Sequence, residues 1–363
     1  MTIQASPSPH YYIAKKYKFC SMILRKPDFY DKFKCTASKC SDTCCIGWEI
    51  DVDEASQEAY RKVAGVFGDK LRANIEDGHF KLLPHDRCPF LDSNNLCEIY
   101  THLGEGALCD ICREHPRFVE VYGDIMEKGL GLCCEEAARL LLESEGPLAF
   151  TSEECDEPED EIDEDDREIR DQVLYEREVI FKILADTSKP FGNRLYEAFG
   201  YTGQDRAGEG VSGDSASNTP SVQQFVPLKN VREMVGLLAQ TESFGPAWDE
   251  ALARIKANIG TVQNGAISNA TNGDISSAIR DQGYFSENES VRLLAYLIYR
   301  HYAKCLFEGR EQGKLKFALF FWNVARIFTR ELGGKINAVK LLSRQLEYSE
   351  ENMNLIENAL DTI

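Results

Sequence analysis

The sequence is poor in the features that carry a chain into or across a membrane. Its first residues, MTIQASPSPHYYIAKKYKFCSMILRK, lack the continuous apolar core of a secretory signal. No stretch approaches the roughly 18 uninterrupted apolar residues of a membrane span. The longest candidate, LKFALFFWNVARIF (315–328), is interrupted by Lys316 and Arg326. These absences predict a cytoplasmic protein with no membrane partner. Basic runs are missing as well: 41 Lys and Arg stand against 60 Asp and Glu, a net charge of −19. Nucleic acids are bound through clustered cations, so this balance argues against a nucleic-acid partner. There is no internal repeat, and Gly123–Leu132 holds a G-x-G without the longer glycine pattern of a dinucleotide loop. Histidine is scarce at six residues, of which His79, His85, His102 and His115 fall among the cysteines, none at zinc-finger spacing.

Cysteine, by contrast, is abundant and concentrated. Eleven of the 13 cysteines lie between Cys20 and Cys134, and CTASKCSDTCCIGW (35–48) alone holds four. The next are Cys88 and Cys97, then Cys109 and Cys112, then the adjacent Cys133 and Cys134. Disulfides require an oxidising compartment, which the missing export signal argues against. Packing as small hydrophobes suits Cys305 and Cys20, but not a run of paired and closely spaced thiols. Metal ligation remains, and a thiol-only set suits either zinc held by four cysteines or an iron–sulfur cluster. Adjacent pairs such as Cys44–Cys45 fit one small zinc ion poorly, which tilts the choice slightly towards iron.

The rest of the chain reads as mainly α. An amino-terminal extension (1–28) precedes a cysteine-rich metal-binding domain (29–150). Carboxylates crowd residues 151–171, and their self-repulsion predicts an extended acidic linker. Residues 172–363 form a helical domain. In its first helix Val173, Val179, Ile180, Ile183 and Leu184 share one stripe. A flexible loop is expected at 201–222 and a second polar stretch at 264–277. Tyr296, Tyr299 and Tyr302 fit either the wall of a substrate channel or the core face of a helix.

The pattern C-x4-C-x3-CC-x2-W from Cys35, followed by CPFL…LCEIY, LGEGALCDICREHPRF and CCEEAARLLL, resembles the flagellin lysine-N-methylase family. Its first part is also similar to a wider group of cysteine-rich proteins described as zinc- or iron-chelating. The resemblance to the methylases extends through LYEREVIFKILADTSKPFGNRLY and ESVRLLAYLIYRHYAKCLFEG, over most of residues 30–310. It implies a cytoplasmic enzyme that transfers methyl groups from S-adenosylmethionine to flagellin lysines. It also implies an iron–sulfur cluster, [4Fe–4S], with zinc as the alternative. The sequence departs from the family pattern at Cys133, where serine is expected, and at Glu135, where proline is expected; Cys109 stands at a position the pattern does not fix. The resemblance therefore nominates Cys35, Cys40, Cys44, Cys45, Cys88, Cys97, Cys112 and Cys134 as ligands, without selecting four. No radical-type C-x3-C-x2-C spacing is present, so polar methyl transfer with a structural cluster is the expected chemistry. The alternative is a non-catalytic metal-binding or redox-sensing module.

Overall fold

The computed structural model describes residues 22–84, 86–157, 162–201, 231–262 and 285–361. His85, the polar stretch 264–277 and nearly all of the loop expected at 201–222 lie outside them. The chain is mainly helical, around a small mixed sheet. It begins with β1 (Met22–Pro27) and continues through α1 (Glu54–Arg61), α2 (Gly65–Ala73), β2 (Ile75–Glu76), β3 (His79–Phe80), α3 (Glu98–Leu103) and α4 (Asp110–Glu114). The hairpin β4 (Arg117–Tyr122) and β5 (Ile125–Leu130), α5 (Glu135–Glu143) and β6 (Phe150–Cys155) follow. Helices then take over: α6 (Glu164–Ala185), α7 (Phe191–Phe199), α8 (Val231–Leu238), α9 (Pro246–Val262), α10 (Glu287–His301) and α11 (Cys305–Glu308). The last are α12 (Glu311–Ile327), α13 (Lys335–Leu342), a π-helical turn (Ser343–Glu347) and α14 (Glu350–Asp361).

The sheet has the order β4-β5-β1-β6. The strand β1 runs parallel to β5, with Ile23 opposite Ile125, and antiparallel to β6, with Met22 opposite Cys155. Residues expected to be an extension therefore supply an inner strand. At the β4–β5 turn Gly123 has φ of 68°, and a Cβ there would press on Ile162 and Arg170, so the turn requires glycine.

The acidic stretch 151–171 is not an extended linker: it completes β6 and begins α6. The carboxylates are placed where a helix wants them. The Asp163 side chain accepts from the Asp166 N–H at 2.9 Å, and Glu164, Asp165 and Asp166 sit at the positive end of the helix dipole. Further along α6, Val173, Ile180, Phe181 and Leu184 are buried, with Val179 and Ile183 half-buried beside them.

Two hydrophobic cores result. The large one joins the helices, from α5 onward, to β5. The small one contains Ile50, Val52, Tyr60, Leu71, Phe80, Phe90 and Ile99, together with Cys88 and Cys109. Helix α10 docks on the sheet through tyrosines. The Tyr296 hydroxyl lies 2.6 Å from both the N–H and the carbonyl of Leu130, accepting from one and donating to the other. The Tyr299 hydroxyl reaches the carbonyls of Arg25 (3.0 Å) and Lys128 (3.1 Å), and that of Tyr302 reaches Glu176 (3.2 Å). All three rings are buried, so these tyrosines form a core face rather than a channel wall.

Candidate metal centre

The small core is where the thiols gather. Cys44 and Cys45 lie in an irregular loop pinned by the Trp48 indole N–H, which donates to the Cys44 carbonyl at 2.7 Å. The Cys88 N–H donates to the Cys45 carbonyl at 2.9 Å, setting the two cysteine-bearing segments side by side. A turn at Asp92 then returns the chain. Its carboxylate accepts from the N–H groups of Asn94 (2.7 Å) and Leu96 (2.9 Å), so Cys97 comes back opposite Leu91. Cys109 occupies the amino-terminal cap of α4, with Cys112 in that helix. Asp53 fastens this end. One carboxylate oxygen caps α1 through the Ser56 N–H (2.8 Å), and the other accepts from the Asp110 N–H (2.9 Å). Burial works against its ionised form, but these N–H groups outweigh burial and hold Asp53 below the usual carboxylate range.

Six thiols share this module: Cys44, Cys45, Cys88, Cys97, Cys109 and Cys112. The neighbouring Cys45 thiol and burial raise the Cys44 thiol. The neighbouring Cys112 thiol lowers Cys109, while Cys109 and burial raise Cys112. Burial pushes Cys88 up to about 12, and it also feels the charges of Cys97, Cys109 and Cys44. Burial likewise raises Cys97, within reach of Cys44 and Cys109. A metal bound by these thiols would have to displace their protons.

A second group lies where the module meets the helical body. Cys40 points its sulfur at a Glu135 carboxylate oxygen 4.0 Å away, and the Ser41 N–H donates to the same oxygen at 3.2 Å. Cys134 caps α5, and burial pushes its thiol up to about 12. Cys133 is buried with its sulfur 4.0 Å from Nε2 of His115, whose ring stacks on Trp48 at 5.8 Å. Ion pairs from Asp42 to Lys340 (2.9 Å) and Arg344 (3.4 Å) tie the loop to α13 and the π turn.

Of the eight nominated cysteines, the fold gathers Cys44, Cys45, Cys88, Cys97 and Cys112 in one module. It places Cys40 and Cys134 at the joint; Cys35 is exposed, as is Cys44 within the module. Cys109, at a position the family pattern does not fix, lies in the same small core, with Cys112 packed against it. Among the described residues no three His, Cys, Asp or Glu side chains converge to hold a single metal ion. The donors match a thiophilic cluster in kind, being thiols alone. The ligands of such a cluster bind its separate irons rather than one ion.

No family model matches the chain, and no solved structure matches it. Curated relatives do. The flagellar biosynthetic protein FliU of Salmonella muenchen is 30% identical over 137 residues, 35% of this chain and 81% of that protein. Lysine-N-methylases of Salmonella typhimurium and Salmonella choleraesuis are each 28% identical over 138 residues, 35% of this chain and 34% of theirs. The chain thus spans about a third of the length of those two methylases.

Proposed function

The chain belongs to the family of the flagellar biosynthetic protein FliU, and on that premise we propose that it is a protein-lysine N-methyltransferase. The observation that carries this reading is its likeness to two lysine-N-methylases. The proposed substrate is flagellin, and the proposed methyl donor is S-adenosylmethionine. The six-thiol module is the proposed seat of a [4Fe–4S] cluster, held by four of Cys44, Cys45, Cys88, Cys97, Cys109 and Cys112. Bound there, such a cluster supplies a rigid cross-link between loop segments distant in sequence.

The reaction sets clear demands. A lysine ammonium, with an ordinary pKa of about 10.4, must give up a proton before its lone pair can attack. The nitrogen–carbon bond then forms as the carbon–sulfur bond breaks, and the electron pair leaves on sulfur. Alignment of the three atoms supplies much of the acceleration. The net charge of −19 favours encounter with a lysine-bearing protein surface.

The test is transfer of labelled methyl groups from S-adenosylmethionine to unmethylated flagellin, with iron and acid-labile sulfide assayed on the same oxygen-free preparation. N-methyl-lysine in the hydrolysate is expected. Its absence with full iron and sulfide content would overturn the reading. A second reading, a metal-binding module without catalysis, draws on the module's separate hydrophobic core. It requires no binding of S-adenosylmethionine, which separates the two.

A further inference from the structure

The sheet ends at β6, whose outer edge is unpaired among the described residues. The Asp28 N–H donates to the Ala149 carbonyl at 2.9 Å, one step beyond the register that pairs Pro27 with Phe150 and Met22 with Cys155. Bonding alternates along an antiparallel pair, so the N–H and carbonyl groups of Thr151, Glu153 and Cys155 turn towards β1. Those of Phe150, Ser152 and Glu154 turn the other way, and no described residue takes them. The four successive residues Thr151 to Glu154 are all exposed.

A free edge is a template for another extended chain, and native edges are commonly guarded by proline, lysine or a bulge. FTSEEC (150–155) contains neither proline nor lysine, and its pairing with β1 runs without a bulge. Its charges are all of one sign. Glu153 is held by Lys26 at 2.9 Å, whereas Glu154 has no cationic partner among the described residues. Exposed Asp156 and Glu157 follow directly. Pairing with a second copy would crowd these carboxylates against their own counterparts, and like charges across a strand pair repel. A strand carrying cations meets the opposite situation.

We propose that β6 is a docking edge for an extended, lysine-bearing segment of a partner protein, which adds to the sheet beside β6. Main-chain hydrogen bonds at Phe150, Ser152 and Glu154 supply the affinity, and the side chains of that row set the preference. In an antiparallel strand a basic residue lies opposite Glu154 and an apolar one opposite Phe150. The edge belongs to the sheet and is separate from the thiol module's core. Such docking goes beyond the methyltransferase reading, since it holds a lysine-bearing chain whether or not methyl transfer follows.

The probe is a labelled synthetic peptide of about ten residues, with lysine, threonine and valine at alternate positions, read by fluorescence anisotropy against the full chain. Two further peptides carry N-methyl groups on one or the other alternating set of amides. Only one set faces β6 in an added strand, and the lysine opposite Glu154 fixes which, so attraction between charges alone cannot tell the two peptides apart. On the protein, Ser152→Pro removes an N–H that points away from β1 and spares the β1 ladder, and Glu154→Lys reverses the charge. The expected result is binding lost with one methylated set, kept with the other, and about tenfold weaker with each variant. The methylated peptides decide the matter even where a variant fails to fold. Equal binding of the two methylated peptides, unchanged binding by Ser152→Pro, or no binding of the unmethylated peptide would overturn the docking edge. So would a dimer of the parent chain in sedimentation that Ser152→Pro dissociates, because the edge would then belong to a second copy.

Discussion

At the scale of single residues, Cys109 shows how setting decides chemistry. It caps α4 with the Cys112 thiol beside it, a setting that lowers its pKa. Cys109→Ser and Cys112→Ser should therefore each strip most of the iron and sulfide from an anaerobic preparation, while Cys35→Ser, at an exposed position, leaves both unchanged. Equal retention in all three would remove the module as the cluster's seat. The clustering of the thiols was legible in the sequence, where eleven of the 13 cysteines lie between Cys20 and Cys134. It did not reveal which thiols lie together, because Cys40, close to Cys44 in the chain, points its sulfur at Glu135 of α5. His301 was equally hidden. It is fully buried, 2.7 Å from Glu347, and burial pulls its pKa down to about 4 despite that carboxylate. The unfolded chain then holds more protons than the folded one between the ordinary histidine pKa and about 4. Stability is retained above that window and falls as pH drops through it, by about 1.4 kcal/mol per pH unit for this residue. Thermal unfolding followed between pH 7 and 5 should show the decline, and His301→Gln should make it shallower.

At the scale of elements, the long helices were readable and the sheet was not. The apolar stripes of α6, α10 and α12 are continuous in sequence, whereas β1 (MILRKP) and β6 (FTSEEC) are short, charged and paired across more than a hundred residues. The charged positions make sense only once paired. Arg177 of α6 forks onto Glu127 of β5, with Nη1 to Oε2 at 2.8 Å, and both are buried. Breaking such a pair strands a charge, so Arg177→Ala should cost about 3–5 kcal/mol, and an apolar double replacement of Arg177 and Glu127 should recover much of it. Chemical denaturation of the three proteins distinguishes this from loss of packing alone, in which case the double replacement would recover nothing. The π turn is fixed in a similar way. Burial would raise Glu347, but the Arg300 charge and the His301 hydrogen bond outweigh it and bring it down to about 2. Next in the chain, Tyr348 lies against the end of β5: a Cβ on Gly131 would come within 2.1 Å of its hydroxyl. Gly131→Ala should destabilise by about 1–3 kcal/mol, and adding Tyr348→Phe should relieve part of that loss. Additive effects of the two changes would show that the contact does not matter.

At the scale of the whole molecule, the fold assigns separate tasks to its two cores. The small one gathers thiols under few elements of regular structure, and the large one supplies a rigid helical body. Between them run the Asp42 ion pairs, the contact of Glu135 with the cysteine loop, and the stacking of His115 on Trp48. Within the acidic stretch 151–171, residues 151–155 belong to β6 and residues 164–171 open α6. The function proposed for this framework is methyl transfer to lysine. Its most direct test is the intact mass of unmethylated flagellin after incubation with the protein and S-adenosylmethionine, followed by peptide mapping. The account predicts mass gains in whole methyl steps that map to lysine side chains and vanish when the donor is omitted. An unchanged flagellin mass, with a protein carrying its full iron and sulfide, would contradict it.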